Sequence, residues 1–425
     1  MFLKHFLRNR EGSVAPMLAI AALPLFGFVG AAVDFSRAAT IRSSMQAAVD
    51  ASALMLSKNA QTLNGDDLSL HSTEAFNALF TNADAHNVQV TTVFEQPQQG
   101  SFSLKLTASA TVNTVFAQLL GRSEIGVSAQ TEVLWGIKRL NLALVLDNTG
   151  SMQQNAKMTN LKTAAHNLLT TLQNAAKKPD DVKVAIVPFA TDVNAGTANV
   201  DATWIDWTDW DAANGTCSKS SYTSQSTCKS NGKVWTPKSH STWNGCVYDR
   251  DQNNDVLNTA TVTGSPATMF RAHQAANCPT AMIPLSTDWT ALNNKIDDMT
   301  PTGNTNVTIG LAWGFQLLSP VEPFNAPAPE ADLDKVIVIL TDGDNTQNRW
   351  SSSSSAIDAR TQKVCDNIKT ANIKIYTVRV INGNASLLKG CATNPTMYYD
   401  VQQAVQLNSV FSSIAQNLAN LRITQ

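Results

Sequence analysis

The sequence predicts an α/β protein with an N-terminal transmembrane helix, a small α+β spacer and a large domain built on a mainly parallel sheet. Three observations lead to this prediction. Residues 13–33 carry no charge, residues 88–135 alternate between apolar and polar side chains, and apolar runs alternate with amphipathic stretches from residue 140 onward. The expected divisions are residues 1–60 for the tail, membrane helix and helical stalk, 61–136 for the spacer, and 137–425 for the large domain, with an insertion at about 201–289.

The composition excludes two classes of protein. The chain has 31 Lys+Arg and 33 Asp+Glu, and this balance argues against a nucleic-acid-binding protein, which normally has a strongly basic face. A hydrophobic fraction of 43% excludes general disorder. The six cysteines are an even number and none lies in a CxxC pair, which favours disulfides in an oxidising compartment over a zinc site.

The uncharged segment 13–33 predicts a retained membrane anchor. Its 21 residues form a helix of about 31 Å, which is enough to cross the hydrocarbon core of a bilayer. Lys4, Arg8 and Arg10 precede it, so the positive-inside rule places the short tail in the cytoplasm and the rest of the chain on the other side. A cleaved signal peptide is the alternative, with a cut near Gly30, but its apolar region is normally shorter.

The helix is expected to continue beyond the membrane, because residues 36–58 contain no Gly or Pro. Ile41, Met45, Ala48 and Met55 keep an apolar stripe at helical spacing. Two interpretations of the stripe stay open at this point. It packs against the next domain, or it forms a pilin-like stalk that packs with neighbouring helices.

The spacer has no recognisable chemistry in its sequence. Residues 61–87 predict a loop followed by a short helix at about 73–80. Three alternating segments rich in Val, Thr and Phe then predict strands, with a short helix or turn that ends at Gly121 before the last of them.

The large domain reads as alternating strands and helices. Near-continuous apolar runs predict strands buried on both faces, and the intervening stretches have helical periodicity. The expected strands are residues 140–147, 182–189, 335–345 and 373–381, and the expected helices are 156–176, 307–318, 356–370 and 404–421. This alternation predicts a parallel sheet covered on both faces, in which ligands bind beyond the carboxyl ends of the strands.

Five side chains with oxygen atoms fall at that edge. Asp147, Thr149 and Ser151 follow the first strand, Asp342 follows the third, and Thr305 lies in a loop before a helix. Carboxylate and hydroxyl oxygens suit Mg²⁺, which usually keeps several waters. The alternative is that these are ordinary turn residues, since Asp, Thr and Gly favour turns. We expect a divalent metal site, with Mg²⁺ first and Mn²⁺ or Ca²⁺ as alternatives.

The motif DNTGSM, the loop threonine and the later TDG resemble the metal-ion-dependent adhesion site of von Willebrand factor A domains. By this resemblance Asp147, Thr149 and Ser151 match the first loop, Thr305 the second and Asp342 the third, with Thr149 standing where Ser is usual. The resemblance implies a Rossmann-like fold and a metal that binds a carboxylate from a protein partner.

The N-terminal GSVAP and AVDFSRAATIRSSMQAAVDASAL resemble the first segment of TadE/TadG-like Flp pilus-assembly proteins. Together with the A domain and its GLAWGFQLLSP run, this implies a TadG-like, non-enzymatic protein of the bacterial inner membrane. Its N-terminus would be cytoplasmic, its bulk periplasmic and its partner a pilus component. Two alternatives stay open: a pilus-independent adhesin or scaffold, and a metal-dependent hydrolase that uses Asp147 with Asp342 or Asp344.

The insertion holds four cysteines and five tryptophans among many turn residues. We favour the pairs Cys217–Cys228 and Cys246–Cys278, which are nearest in sequence, out of three pairings. The tryptophans are expected to fill a small core rather than form an exposed binding platform. The four alternating polar residues of YDRDQNNDV begin like an EF-hand loop: Asp249, Asp251, Asn253 and Asp255. The twelfth position is Ala260 rather than Glu, so a solvated polar turn is favoured.

The remaining cysteines, Cys365 and Cys391, are expected to form a third bridge. One lies in a predicted helix and the other just beyond the strand that follows it, and such elements pack together in this architecture. The alternative is two buried free thiols.

Overall fold

A computed structural model describes most of the chain and divides it into an N-terminal unit that ends at Gly136 and a C-terminal unit, Ile137–Thr424. The described residues are 14–57, 60, 63, 65–98, 101–176, 178–420 and 423–424. The predicted cytoplasmic tail, with Lys4, Arg8 and Arg10, lies outside them.

The N-terminal unit consists of two helices and an antiparallel sheet. Its helices are α1, Val14–Ser57, and α2, Gly65–Leu79. Its strands are β1, Ala85–Gln98, β2, Ser101–Asn113, and β3, Glu124–Ile137, with β2 in the centre. All three predicted strands are confirmed, and the turn before β3 ends at Gly121 in a left-handed conformation.

Helix α1 has two different halves. Among the described residues it is the one helix long and apolar enough to cross a membrane, judged by length and composition. Large apolar side chains are exposed along its first half. In the second half Ile41, Met45 and Ala48 are buried in a core shared with α2 and the sheet, whereas Met55 is exposed. The stripe therefore packs within its own unit.

Helix α2 begins earlier than the sequence predicts, at Gly65 rather than near residue 73. Asp66 and Asp67 lie in its first turn, where carboxylates interact favourably with the positive end of the helix dipole. Leu68 and Phe76 are buried on its inner face.

The C-terminal unit contains a large mixed sheet with helices on both faces. The strands of this unit, not all of which belong to the large sheet, are β4 (Arg139–Asp147), β5 (Val182–Phe189), β6 (Val193–Asn194), β7 (Ile205–Asp206), β8 (Gly215–Cys217), β9 (Trp235–Pro237), β10 (Cys246–Tyr248), β11 (Phe270–Ala272), β12 (Ile283–Ser286), β13 (Leu333–Thr341), β14 (Lys374–Val380), β15 (Tyr398–Val401) and β16 (Ile423–Thr424). Its helices are α3 (Lys157–Ala175), α4 (Thr208–Ala213), α5 (Gln225–Ser230), α6 (Trp289–Asp297), α7 (Val307–Leu317), α8 (Ser354–Thr370), α9 (Ala385–Cys391) and α10 (Leu407–Asn420).

The centre of this sheet is parallel, as predicted. Strands β15, β14, β13, β4 and β5 lie side by side in that order and run in one direction. The four predicted strands and four predicted helices are all present. Strand β15 and helix α9 were not predicted, because segments of four and seven residues are too short to show a period.

Two hydrophobic cores flank the sheet. Helices α3, α6 and α10 cover one face, and α7 and α8 cover the other. Helix α7 lies very close to the strands, because a Cβ at Gly310 would be 2.8 Å from the Phe189 ring and one at Gly314 would be 2.7 Å from Val145. These two glycines set the height of α7 above the sheet and so the position of the loop that precedes it.

The insertion extends the sheet instead of standing apart from it. Strand β6 and the insertion strands β10, β11 and β7 continue the sheet beyond β5, while β8 and β9 form a separate two-stranded antiparallel sheet. Trp210, Trp235 and Trp243 are buried, which agrees with the core interpretation. The structure contains all three disulfides that the sequence predicts: Cys217–Cys228, Cys246–Cys278 and Cys365–Cys391.

Candidate metal centre

The predicted site residues lie where two neighbouring parallel strands end. Leu146 of β4 pairs with Leu340 of β13, so Asp147 and Thr341, the last residues of these strands, emerge side by side. The loop after each strand then turns across the same edge of the sheet. Parallel pairing therefore brings together residues that are far apart in sequence.

Four of the five predicted residues form one chain of hydrogen bonds. The Asp147 Oδ1 atom accepts hydrogen bonds from the Thr149 backbone N at 2.8 Å and from its hydroxyl at 2.6 Å. The hydroxyls of Thr149 and Ser151 are 3.0 Å apart. Ser151 donates in turn to Asp342 Oδ1 at 2.6 Å, and Thr341 donates to Asp147 Oδ2 at 2.7 Å.

Thr305, the fifth predicted residue, faces the same space from the second loop. A Cβ built on Gly343 would lie 3.6 Å from the Thr305 hydroxyl and 3.8 Å from the Ser151 hydroxyl. The backbone N of Thr305 donates to the hydroxyl of Thr346, which ties the second loop to the third. Because residue 343 is glycine, no side chain of its own stands between these two hydroxyls.

The two carboxylates repel each other in a buried place. Asp147 and Asp342 are 0% and 1% exposed. Burial, together with the negative charge of Asp342, raises the pKa of Asp147 to about 6, although hydrogen bonds from Thr149 and Thr341 act in the opposite direction. A cation at this edge would relieve the repulsion.

Lys157 is a component of the site that the sequence analysis missed. Its Nζ donates to Asp342 Oδ2 at 2.6 Å, and both side chains are almost completely buried. The two oxygens of Asp342 therefore have separate partners, Lys157 on one side and Ser151 on the other. A signal was available, because Lys157 precedes Leu161 and Ala164 by four and seven residues and so lies on the buried face of α3.

The donor set fits a hard divalent cation. Two carboxylates, three hydroxyls and room for water are what Mg²⁺ accepts, whereas a structural zinc site needs four Cys, His or carboxylate ligands. Among the described residues no group of three or more Asp, Glu, His and Cys is placed to hold a metal. A metal held here would need the hydroxyls as well as the two carboxylates.

Two neighbouring residues have different roles from those of the site. Asp344 is exposed on the third loop. Asn345 is buried, accepts a hydrogen bond from the backbone N of Val307 and donates to Asp358, so it fastens the third loop to the start of α7. Neither residue is among the five predicted ligands of the adhesion-type site.

The solvated turn favoured for YDRDQNNDV is wrong. Asp249 and Asp255 are both 3% exposed. Asp249 accepts from the Asn306 amide at 3.0 and 3.1 Å, and Asp255 pairs with Arg360. Asp251 pairs with arginine side chains, so these carboxylates have protein partners rather than the open arrangement of a calcium loop.

Family models match two parts of the chain. The Flp pilus-assembly TadE/G-like model matches residues 12–55, and the von Willebrand factor type A domain model matches residues 250–413. The chain carries a TadE/G-like segment and a von Willebrand factor A domain. The A-domain match begins after the first loop of the site, so Asp147, Thr149 and Ser151 lie outside it. No curated protein matches the chain in sequence.

Several solved structures are similar to this chain at low sequence identity. The pilus adhesin SpaC of Lactobacillus rhamnosus GG is 13% identical, with a TM-score of 0.40, over 81% of this chain and 36% of its own. The vWF domain of the type V pili tip protein Mfa5 of Porphyromonas gingivalis is 12% identical, with a TM-score of 0.39, over 68% of this chain and 97% of its own. Proximal thread matrix protein 1 of the mussel byssus, in a form with a zinc-occupied MIDAS motif, is 13% identical over 68% of this chain and 48% of its own, with a TM-score of 0.33. This chain thus spans about a third of SpaC and about half of the mussel protein.

Proposed function

We propose that this protein is a membrane-anchored component of Flp (Tad) pilus assembly or anchoring that binds a protein partner through a metal ion. The metal would be held by Asp147, Thr149, Ser151, Thr305 and Asp342, with Mg²⁺ as the expected ion. The observation that carries the proposal is the convergence of these residues at one edge of an A-domain sheet, in a chain that also carries a TadE/G-like segment.

The charge balance favours an acidic partner group. Asp147 and Asp342 contribute two negative charges and Lys157 one positive charge, so these three side chains together have one net negative charge. A divalent ion reverses this to one net positive charge at the surface of the sheet edge. A carboxylate from a partner would neutralise it and complete the coordination shell.

Binding is favoured over hydrolysis because, within the part of the chain that the structure describes, no free general base contacts Asp147 or Asp342. The carboxylate oxygens of Asp147 and Asp342 already accept hydrogen bonds from Thr149, Thr341, Ser151 and Lys157. His166, on α3, contacts Asn293 and Asp297 of α6 instead. This imidazole is therefore not available to take a proton from a metal-bound water.

We place the anchor in the bacterial inner membrane as a single pass, with the N-terminus in the cytoplasm and the C-terminal unit in the periplasm. The exposed apolar first half of α1 supports the anchor, and the basic tail supports its direction. The three disulfides support an oxidising compartment for the C-terminal unit.

A metal-dependent pull-down tests the binding function. The tagged full chain in detergent is incubated with envelope extract or purified Flp pilus components, either in Mg²⁺ or in EDTA. We expect capture of a pilus component in Mg²⁺ only, and its loss in Asp147→Ala. Asp344→Ala removes an exposed carboxylate from the neighbouring loop and should bind normally. Metal-independent capture, or equal capture by both variants, would contradict the proposal.

Protease accessibility tests the topology. Protease added to spheroplasts should degrade the C-terminal unit of the intact chain, while a cytoplasmic control protein survives. Protection of the C-terminal unit would reverse the proposed orientation, and a soluble product that starts near Val33 would replace the anchor with a cleaved signal peptide.

A further inference from the structure

The loop between β2 and β3 is closed and well braced. Thr114 closes the loop with two hydrogen bonds. Its backbone N donates to the Ser123 carbonyl, and its hydroxyl donates to the Arg122 carbonyl. A turn of 3-10 helix follows at Ala117–Leu120 and ends at Gly121, whose φ of 85° favours glycine. We call residues 114–123 the interface loop.

Asp34 fastens the interface loop to the anchor helix. Its carboxylate, 2% exposed, accepts hydrogen bonds from three consecutive backbone N atoms, those of Val115, Phe116 and Ala117, at 2.8 to 3.0 Å. Asp34 is the first charged residue after the uncharged segment 13–33. The loop is therefore held at the residue where the apolar segment ends.

A second contact places the loop slightly inside that end. A Cβ built on Gly30 would lie 2.5 Å from Cβ of Phe116, so the loop touches the helix directly and only glycine permits the approach. Gly30 precedes Val33 by three residues, or about 5 Å along the helix axis. Phe116 thus lies at the level of the last turn of the apolar segment.

The loop presents apolar side chains to solvent at this level. Val115 and Phe116 are 51% and 43% exposed, and the exposed Arg122 follows at the base of the loop. Apolar and aromatic side chains beside a cation are the composition of segments that lie at the boundary between lipid headgroups and acyl chains.

We propose that the interface loop enters the surface of the bilayer that α1 spans, with Val115 and Phe116 in the acyl boundary and Asp34 as the positioning residue. This proposal rests on the proposed membrane anchor. The occupant of the apolar surface is lipid, because the contacts with Gly30 and Asp34 fix the loop beside the lipid-facing part of the helix. The loop gives the N-terminal unit a second attachment, which limits its tilt and rotation about a single helix.

Depth-dependent quenching tests the proposal on the full chain in lipid nanodiscs. The described cysteines are all in disulfides, so one added cysteine takes an environment-sensitive fluorophore. The label is placed by Phe26→Cys in the apolar segment, by Phe116→Cys in the loop, or by Leu134→Cys on β3. Leu134 is exposed and lies ten residues beyond Glu124, about 33 Å further along the strand, so it is the matched aqueous control. Lipids that carry a quencher either near the headgroup or deep in the acyl chain report the depth of each position.

We expect strong quenching at residue 26, quenching at 116 several-fold above that at 134, and a fall at 116 to the level of 134 when Asp34→Ala is added. Quenching at 26 and the circular dichroism spectrum should be unchanged by Asp34→Ala, which shows that the fold and the anchor survive. Quenching at 26 without quenching at 116 would overturn the interface loop and leave the anchor standing. Absence of quenching at 26 would reject the anchor and the loop with it.

Discussion

Replacing Asp147 by Asn should stabilise the metal-free protein and remove most of the stabilisation that metal gives to wild type. The substitution keeps the size of the side chain and removes its charge. Its oxygen can still accept from the Thr149 backbone and hydroxyl, and its NH₂ can donate to the Thr341 hydroxyl, which rotates to accept. The 3.4 Å contact with the Asp342 backbone N is the one hydrogen bond that is lost.

The magnitude follows from the raised pKa of Asp147. Burial and the charge of Asp342 raise this pKa to about 6, against 3.8 in the unfolded chain. Between these values the unfolded state loses its proton first, so wild type loses stability relative to Asp147→Asn as the pH rises. The slope is about 1.4 kcal/mol per pH unit, which makes metal-free Asp147→Asn more stable by about 3 kcal/mol at pH 7. Below pH 4 the difference should vanish.

Metal should stabilise wild type more than Asp147→Asn. A ligand at one hundred times its Kd stabilises the folded state by about 2.7 kcal/mol, and wild type should gain this amount in Mg²⁺ or Mn²⁺. The variant lacks a charged ligand and should gain little. The advantage of Asp147→Asn in EDTA should therefore disappear at saturating metal.

Urea unfolding of the full chain in detergent, followed by tryptophan fluorescence, measures both effects. Eight of the nine tryptophans lie after Gly136, so the signal reports mainly the C-terminal unit. The midpoints of both proteins are compared in EDTA and in metal, from pH 4 to pH 7.5. The reasoning would be refuted if wild type had the higher urea midpoint in EDTA at pH 7. It would also be refuted if metal raised the midpoints of both proteins equally.

Three further predictions use the same unfolding assay. Lys157→Met should destabilise the metal-free protein by about 3–5 kcal/mol, because the Asp342 carboxylate stays buried without the Lys157 ammonium. Metal should restore part of this loss, and unchanged stability in EDTA would contradict the prediction. Replacing both Cys365 and Cys391 by Ala should lower the free energy of unfolding by about 3 kcal/mol, since their bridge closes a loop with a sequence separation of 26. If reductant does not change the unfolding midpoint of wild type, that result would argue against the bridge. Gly314→Val should cost about 1–3 kcal/mol through overpacking against the sheet, and a neutral effect would show that α7 can move outward.

The sheet and most of the site could be predicted because both depend on local patterns. Strand β4 is apolar at nearly every position since both of its faces are covered, and such a run is visible in the sequence. Asp147, Thr149 and Ser151 then follow within five residues, so one turn brings them together. Asp342 follows from the rule that parallel strands end at the same edge.

Lys157 was missed because its role depends on a partner that is 185 residues away in sequence. A lysine in the first turn of an amphipathic helix normally reaches solvent. Its place on the apolar face of α3 marks it as an exception, but the identity of its partner follows only from the fold. Composition and hydrophobic periodicity predict whether a residue is buried or exposed, whereas the pairing of two buried charges is a property of the tertiary structure.

The contacts of Asp249 show that the insertion is part of the same packed structure as the loops of the candidate metal centre. Its buried carboxylate accepts hydrogen bonds from Asn306, next to Thr305 in the second loop, and from the backbone N of Arg349, just after the third. Burial raises the pKa of Asp249 to about 6, so its ionised form opposes folding at neutral pH. That disadvantage is offset only by what the carboxylate holds together. Because its partners flank two of the three loops of the candidate metal centre, the insertion braces these two loops.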